Sequence, residues 1–307
     1  MQCHIQEITI SVASDPSGCY LFGGTKSGRI YCWEIASGNL VLSFQGHFKA
    51  ITIATLTACG SFLITSSLDG MIRMWDVIAL VSAYSPDGSN RQQKSGATNI
   101  TPYRSWSPHT LAVTGLRIIG ANTVCASPIR VLTCSMNRTL CLYDISASKQ
   151  CFVIHLLENA ECITTNPLGD TAFVGGSSGS IHIVSLAQTS FVLSSIHSKG
   201  QVSSLSQQQN NGSSSAKVNG DSNTLDGHTR RVTTLAFSMD NCTLVSGSDD
   251  GSVRVWDTWS RQCIREFKPL NKSGVTGLMV SVYYLLFVSH LQFILRSLLI
   301  LLQYCFL

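Results

Sequence analysis

Residues 46–76 read GHFKAITIATLTACGSFLITSSLDGMIRMWD, and residues 227–257 read GHTRRVTTLAFSMDNCTLVSGSDDGSVRVWD. The two stretches share a frame as well as a composition. His47 precedes Trp75 by 28 residues, and His228 precedes Trp256 by 28. Each carries an Asp-Gly turn shortly before the Trp, at Asp69-Gly70 and Asp250-Gly251. The segments 71–77 and 253–257 are rich in β-branched and aromatic residues and bounded by turn signals, so both read as short strands. A repeat of this size makes one small twisted sheet. Such a sheet cannot hide both faces alone, and neighbouring copies have to stack.

Weaker copies surround the two strong ones. Aligned on the Trp position they give Trp33, Trp75, Tyr143, Val184 and Trp256, separated by 42, 68, 41 and 72 residues. A Gly-His, Asp-Gly, Trp-Asp unit of about 40–45 residues resembles the blade of a WD-repeat propeller. The expected fold is therefore all-β, a WD-repeat β-propeller over residues 1–278. About five blades are recognisable, with part of a sixth at 263–278. The resemblance implies a seven-bladed family, so the ring read here is incomplete. The two long intervals each hold a polar insertion, about 79–104 and about 187–224, the second carrying the run QQQNNGSSS. Such tracts bury too little apolar surface to order themselves, and they read as exposed loops between blades.

The Ser, His, Asp and Trp of the strong units invite a catalytic reading. A Ser–His–Asp set repeated in separate blades has no reason to be a hydrolase triad. WD-repeat proteins tie each blade together with a His–Asp–Ser/Thr–Trp network. Carried onto this chain, that network falls on His47, Asp69, Ser67 and Trp75, and on His228, Asp250, Ser248 and Trp256, with Thr65 and Ser246 as alternative hydroxyl positions. At the Asp position the other units carry Asn137, Ser27 and Ser178. These residues are read as scaffold, and no catalytic, cofactor-binding or metal-binding residue is assigned.

Composition agrees with that reading. The chain has 307 residues, 12% of them charged and 44% hydrophobic, with a net charge of +4. Basic residues form no cluster larger than pairs such as Arg230-Arg231, so a dedicated nucleic-acid surface is not indicated. The 12 cysteines show no Cys-x-x-Cys or Cys/His ligand spacing, which argues against zinc. Cys32, Cys134, Cys141 and Cys242 fall in or beside strand patterns as small core residues do, and reduced thiols are expected. No phosphate-binding loop, His-Glu-x-x-His or Gly-x-Ser-x-Gly motif occurs. The Gly23-Gly24 and Gly175-Gly176 pairs end strand-like segments and are explained by blade turns.

A closer resemblance rests on the order of units and insertions. The run from Gly23-Gly24-Thr25 through Trp33-Glu34-Ile35 leads into Gly46-His47-Phe48. Trp75-Asp76-Val77 follows, then Ser107-Pro108-His109 after the first insertion, and Pro167-Leu168-Gly169-Asp170 through Gly175-Gly176 in the fourth unit. Over about residues 5–278 the chain is similar to the WD-repeat subunits of the rixosome, known in plants as the ROOT INITIATION DEFECTIVE type. That resemblance implies a non-catalytic nuclear scaffold without cofactor or small-molecule substrate, working in the nucleolus and nucleoplasm. Its implied partners are helical-repeat rixosome subunits, a midasin-type ATPase and large-subunit pre-ribosomes. The implied process is ribosomal RNA processing, linked to cell proliferation. Direct RNA or DNA contact is left open.

The two ends depart from the family. About one N-terminal blade is expected to be absent, because Met1 lies close to the strand read at 8–12. From Met279 the chain turns apolar to Leu307, interrupted by His290 and Arg296. Three readings compete for this tail: a membrane span, which a mid-span Arg makes costly; a strand or helix buried on the propeller; and translated intron, frame-shifted or alternative-transcript sequence. The last is the expectation. Two other functions are weighed. A cullin-type ubiquitin-ligase receptor typically carries Arg two residues after Trp-Asp, where this chain has Ile78 and Trp259. A membrane-tethered trafficking propeller depends on the tail.

Overall fold

A computed structural model describes residues 7–82, 100–120, 129–186, 215–217, 224–238, 240–268, 274–281 and 299–301. Among the described residues, regular secondary structure is almost wholly strand. The first blade is β1 (Thr9–Ser14), β2 (Tyr20–Thr25), β3 (Arg29–Glu34) and β4 (Leu40–Gln45). In the second, β5 (Ile51–Leu56), β6 (Phe62–Ser67) and β7 (Ile72–Asp76) lead through helix α1 (Val77–Ser82) to β8 (Arg104–Trp106). The third is β9 (Val113–Ile119), β10 (Arg130–Ser135), β11 (Thr139–Asp144) and β12 (Lys149–His155). The fourth comprises β13 (Ala160–Thr165), β14 (Thr171–Gly176) and β15 (Ile181–Ser185), closed after β16 (Ser215–Lys217) by β17 (Thr224–Leu225). Completing the fifth are β18 (Val232–Phe237), β19 (Thr243–Ser248), β20 (Val253–Asp257) and β21 (Cys263–Phe267).

Within every blade, neighbours in sequence are antiparallel neighbours in the sheet, and β16 adds a parallel strand beside β12. The short strands β22 (Met279–Ser281) and β23 (Leu299–Leu301) pair with each other. By compactness the chain divides into two units, Met1–Cys151 and Phe152–Leu307.

Burial follows from stacking. The second strand of each blade is covered along nearly its whole length, so it reads as a continuous buried run rather than an alternation. In the first unit Phe22, Ile30, Ile51, Leu63 and Trp75 share one core cluster. Phe173, Ile181, Val232, Leu244 and Trp256 share one in the second. The glycine pairs lie inside β2 and β14, which corrects their assignment to turns. A Cβ on Gly24 would stand 2.6 Å from the Ile51 side chain, and one on Gly175 would stand 2.9 Å from Val232. Close approach of the next blade's first strand therefore requires glycine there. Cys242 is exposed, whereas Cys32, Cys134 and Cys141 are buried as expected; Cys162, unremarked in the sequence, is buried too.

The insertions are also placed differently. Both fall within a blade, between its third and fourth strands: the first between β7 and β8, the second between β15 and β17. Alignment on the Trp hid this, because the Trp strand is third and a fourth strand still has to follow. Residues 83–99 of the first insertion, and 187–214 and 218–223 of the second, lie outside the described residues. The first insertion's opening is ordered. Asp76 Oδ1 accepts the Ile78 and Ala79 amides at 2.9 and 3.2 Å, capping α1, and Leu80 is buried.

The expected sixth unit, 263–278, divides between two repeats. Residues 263–267 complete the fifth blade as β21. Val275, by contrast, packs on Gly247 as Ile51 packs on Gly24 and Val232 on Gly175, so the next repeat begins only there. Of the apolar tail, 282–298 and 302–307 lie outside the described residues. No helix among the described residues is long and apolar enough to cross a membrane.

Candidate functional site

In an antiparallel blade, the loop entering the first strand and the turn joining the second and third strands emerge at the same end. In the second blade these segments deliver His47 and Asp69 respectively. His47 Nε2 lies 2.8 Å from Thr65 Oγ1, and its Nδ1 lies 3.2 Å from Asp69 Oδ2. Trp75 donates its indole N–H to the same Thr65 oxygen at 3.0 Å. The fifth blade repeats this: His228 Nε2 to Ser246 Oγ 2.7 Å, Trp256 Nε1 to Ser246 Oγ 2.8 Å, His228 Nδ1 to Asp250 Oδ2 3.2 Å.

The linking hydroxyls are thus Thr65 and Ser246, which corrects the choice of Ser67 and Ser248. Those two serines face the turn: their Oγ atoms donate to the Lys49 and Arg230 carbonyls and accept the Asp69 and Asp250 amides. The reason is register. Thr65 pairs with Arg73 and Ser246 with Arg254, two places from the Leu63–Trp75 and Leu244–Trp256 pairs. An indole N–H reaches two residues along the neighbouring strand, not four.

Donor counting fixes the protons. The carboxylate can only accept, so Nδ1 carries the proton; Nε2 of the neutral ring then accepts from the hydroxyl, whose oxygen accepts the indole N–H. A neutral imidazole satisfies every contact. Burial accordingly lowers the pKa of His47 to about 4, outweighing the opposing pull of Asp69. His228 is lowered by burial as well. The Asp250 carboxylate is also held low, despite burial, by hydrogen bonds from Ser252 and the Thr229 amide. A fully satisfied buried network of this kind fixes one packing.

The other three blades solve the same problem with different side chains, which the sequence reading did not identify. In the third blade His109 sits between Thr133 Oγ1 and Thr139 Oγ1, both at 2.9 Å, and Thr139 passes its proton to Asn137 Oδ1 at 2.5 Å. Burial lowers His109 to about 4. Tyr143, at the Trp position, donates instead to Gln150 Oε1 at 2.7 Å.

In the fourth blade the carboxylate has changed sides. Glu158, on the entering loop, accepts the Ser178 amide at 2.6 Å and His182 Nε2 at 2.8 Å, with hydroxyls from Ser177, Ser178 and Ser180. Those bonds overcome desolvation and bring its pKa down to about 2. Glu7 receives Ser27 in the same way in the first blade. The legible signal was a Glu two residues before the first strand wherever Ser replaces the turn Asp.

In the second and fifth blades hydroxyl and carboxylate take opposite nitrogens of the His, but Thr65 and Ser246 are fully buried and each accepts a Trp indole N–H. Ser180 and Glu158 both meet His182 at Nε2, so the ring cannot pass a proton from one to the other through opposite nitrogens. A cavity of about 480 Å³ beside α1 is lined by Trp75, Leu80, Ile100 and Tyr103 among others; its carboxylate, Asp76, is taken up by the helix cap. Among the described residues, no group of three or more His, Cys, Asp or Glu could hold a metal ion.

Comparison with known proteins agrees with this geometry. The WD domain, G-beta repeat family matches residues 38–76 and 221–257. The chain is 31% identical over 254 residues to the pre-rRNA-processing protein IPI3 of Candida albicans, taking in 82% of this chain and 48% of that protein. It is 29% identical over 261 residues to the protein ROOT INITIATION DEFECTIVE 3 of Arabidopsis thaliana, covering 83% of this chain and 50% of the other. With WD repeat-containing protein 18 of Rattus norvegicus it shares 28% over 264 residues, 85% and 53% of the two chains. The chain spans about half the length of the curated relatives it matches.

Proposed function

We propose that this chain, which belongs to the WD-repeat proteins and is homologous to their pre-rRNA-processing members, is a non-catalytic scaffold for maturation of the large ribosomal subunit. One observation carries the reading: similarity to relatives named for pre-rRNA processing runs over more than four-fifths of the chain. The blade networks support it from the chemical side, because their His, Ser, Thr and Asp side chains are consumed in holding strands together. The scaffold acts in the nucleus, in nucleolus and nucleoplasm. Its partners are helical-repeat rixosome subunits, and with them it helps engage a midasin-type ATPase with large-subunit precursors.

Affinity purification of the tagged chain from nuclear extract tests this. Recovery of large-subunit precursor RNA together with a midasin-type ATPase is the expected result. Recovery of cullin adaptors or vesicle-coat subunits in their place would overturn it.

A further inference from the structure

At the end of the first unit where entering loops and Asp-Gly turns meet, three large apolar side chains stand in solvent. Phe48 is 82% exposed, Leu111 54% and Leu68 42%. The segments carrying them are joined. The Leu68 amide donates to the Ala50 carbonyl at 3.0 Å. Gly70 sits so close to the next loop that a Cβ there would lie 2.5 Å from the His109 carbonyl oxygen and 3.3 Å from that of Leu111. Ser135 Oγ in turn donates to the Leu111 carbonyl at 3.3 Å.

The blade architecture does not demand these side chains. In the fifth blade the places of Phe48, Leu68 and Leu111 are taken by Thr229, Asp249 and Arg230, by their spacing from His228, Ser248 and the first strand. The Thr229 amide still bonds the turn carboxylate, as the Phe48 amide does. Phe48 is also held in place: Arg73 lies 5.5 Å from its ring centroid and is itself anchored on the Gly46 carbonyl at 2.5 Å. An exposed aromatic held this way loses little entropy on contact.

Charge selects the partner. Lys49 is exposed on the Phe48 loop and Lys26 on the first blade's β2–β3 turn, where a Cβ on Gly28 would lie 2.7 Å from the Lys49 carbonyl oxygen; the Arg73 guanidinium beneath Phe48 and exposed Arg138 on the third blade's β10–β11 turn add to them. Among the described residues of the first unit, the carboxylates at this end are Asp69 and Glu7. Asp69 is engaged by His47 and by the Phe48 and Met71 amides, and Glu7 by Ser27.

We propose that this end of the second and third blades docks a protein segment in which acidic residues flank large apolar side chains, Phe48 and Leu111 receiving the apolar groups and the lysines the carboxylates. The proposal rests on the scaffold reading and gives one partner of that scaffold its chemistry.

The test titrates the full chain into a fluorescein-labelled peptide of repeated Asp-Leu-Glu-Phe units, read by anisotropy. A Lys-Leu-Lys-Phe peptide and a single-stranded RNA of equal length serve as competitors. The expected result is saturable binding of the acidic peptide, weakened about tenfold or more by Phe48→Thr and by Lys49→Glu. Because Thr already stands at the corresponding place in the fifth blade, Phe48→Thr should leave the unfolding midpoint unchanged. Leu111→Ser, on a separate loop, is read in parallel against misfolding of either variant. Absence of binding, equal binding by the variants, or displacement by the basic peptide or RNA at equal concentration would overturn the proposal. Undiminished recovery of pre-ribosomal particles by Phe48→Thr would refute the docking site while leaving the scaffold reading intact.

Discussion

The second and fourth blades close the same gap with opposite chemistry. In the second, a neutral His enters from the loop, the carboxylate belongs to the turn, and a Thr hydroxyl carries the chain of bonds into the sheet as far as Trp75. In the fourth, the carboxylate enters from the loop as Glu158 and gathers hydroxyls of the turn and the His182 ring, while the hydroxyl and Trp places hold Val174 and Val184. The difference teaches that the blade specifies a satisfied polar junction between loop and turn, not a fixed residue set. Identity at His, Asp and Trp marks one solution, and its absence does not mark a failed blade.

Acid separates the two solutions most widely. The folded pKa of about 4 for His47 and His109 lies below the unfolded value near 6.5. Between these values the unfolded chain binds more protons. Stability is therefore fully present above that window and falls as pH is lowered through it, by up to about 3 kcal/mol per imidazole. Glu158 behaves differently. Its contribution is present above its ordinary value of 4.5 and is lost as pH falls towards about 2. Hydrogen exchange, corrected for intrinsic rates, should show peptides covering 46–76 losing protection between pH 6.5 and 4, and those covering 156–185 holding until below 4.5. Coincident loss would break the comparison.

Replacing Thr65 by Val leaves a buried indole N–H and a buried imidazole nitrogen without partners, a cost on the order of 2–4 kcal/mol by chemical denaturation. Glu158→Gln removes charge-assisted bonds and should cost roughly 1.5–3 kcal/mol, while flattening the acid limb below pH 4.5. Ser67→Ala touches only turn contacts and should cost about 1 kcal/mol. If Ser67→Ala proved more damaging than Thr65→Val, the register argument for the linking hydroxyl would be wrong.

The repeat was legible because its signals are local. Asp69-Gly70, Asp250-Gly251 and the Trp-Asp pairs sit a few residues apart, and their spacing sets turn and strand directly. What sequence hid depends on pairing between strands. Thr65 and Ser67 are both polar, both on β6 and both near the turn; only the Leu63–Trp75 register decides which meets the indole. The insertions were visible as composition, yet their place inside a blade depends on β8 and β17, strands of three and two residues that carry almost no pattern of their own. Gly23-Gly24 looked like a turn because a glycine made necessary by the next blade cannot be told, along one chain, from a glycine made necessary by a bend.

His47 is a neutral, internally satisfied member of the scaffold. Nitrogen-detected NMR of the imidazole, from pH 7 down to pH 4, tests this most directly. The expected result is a single Nδ1–H tautomer that persists well below pH 6 and protonates only near 4. An ordinary titration near 6.5, or an Nε2–H tautomer, would contradict it.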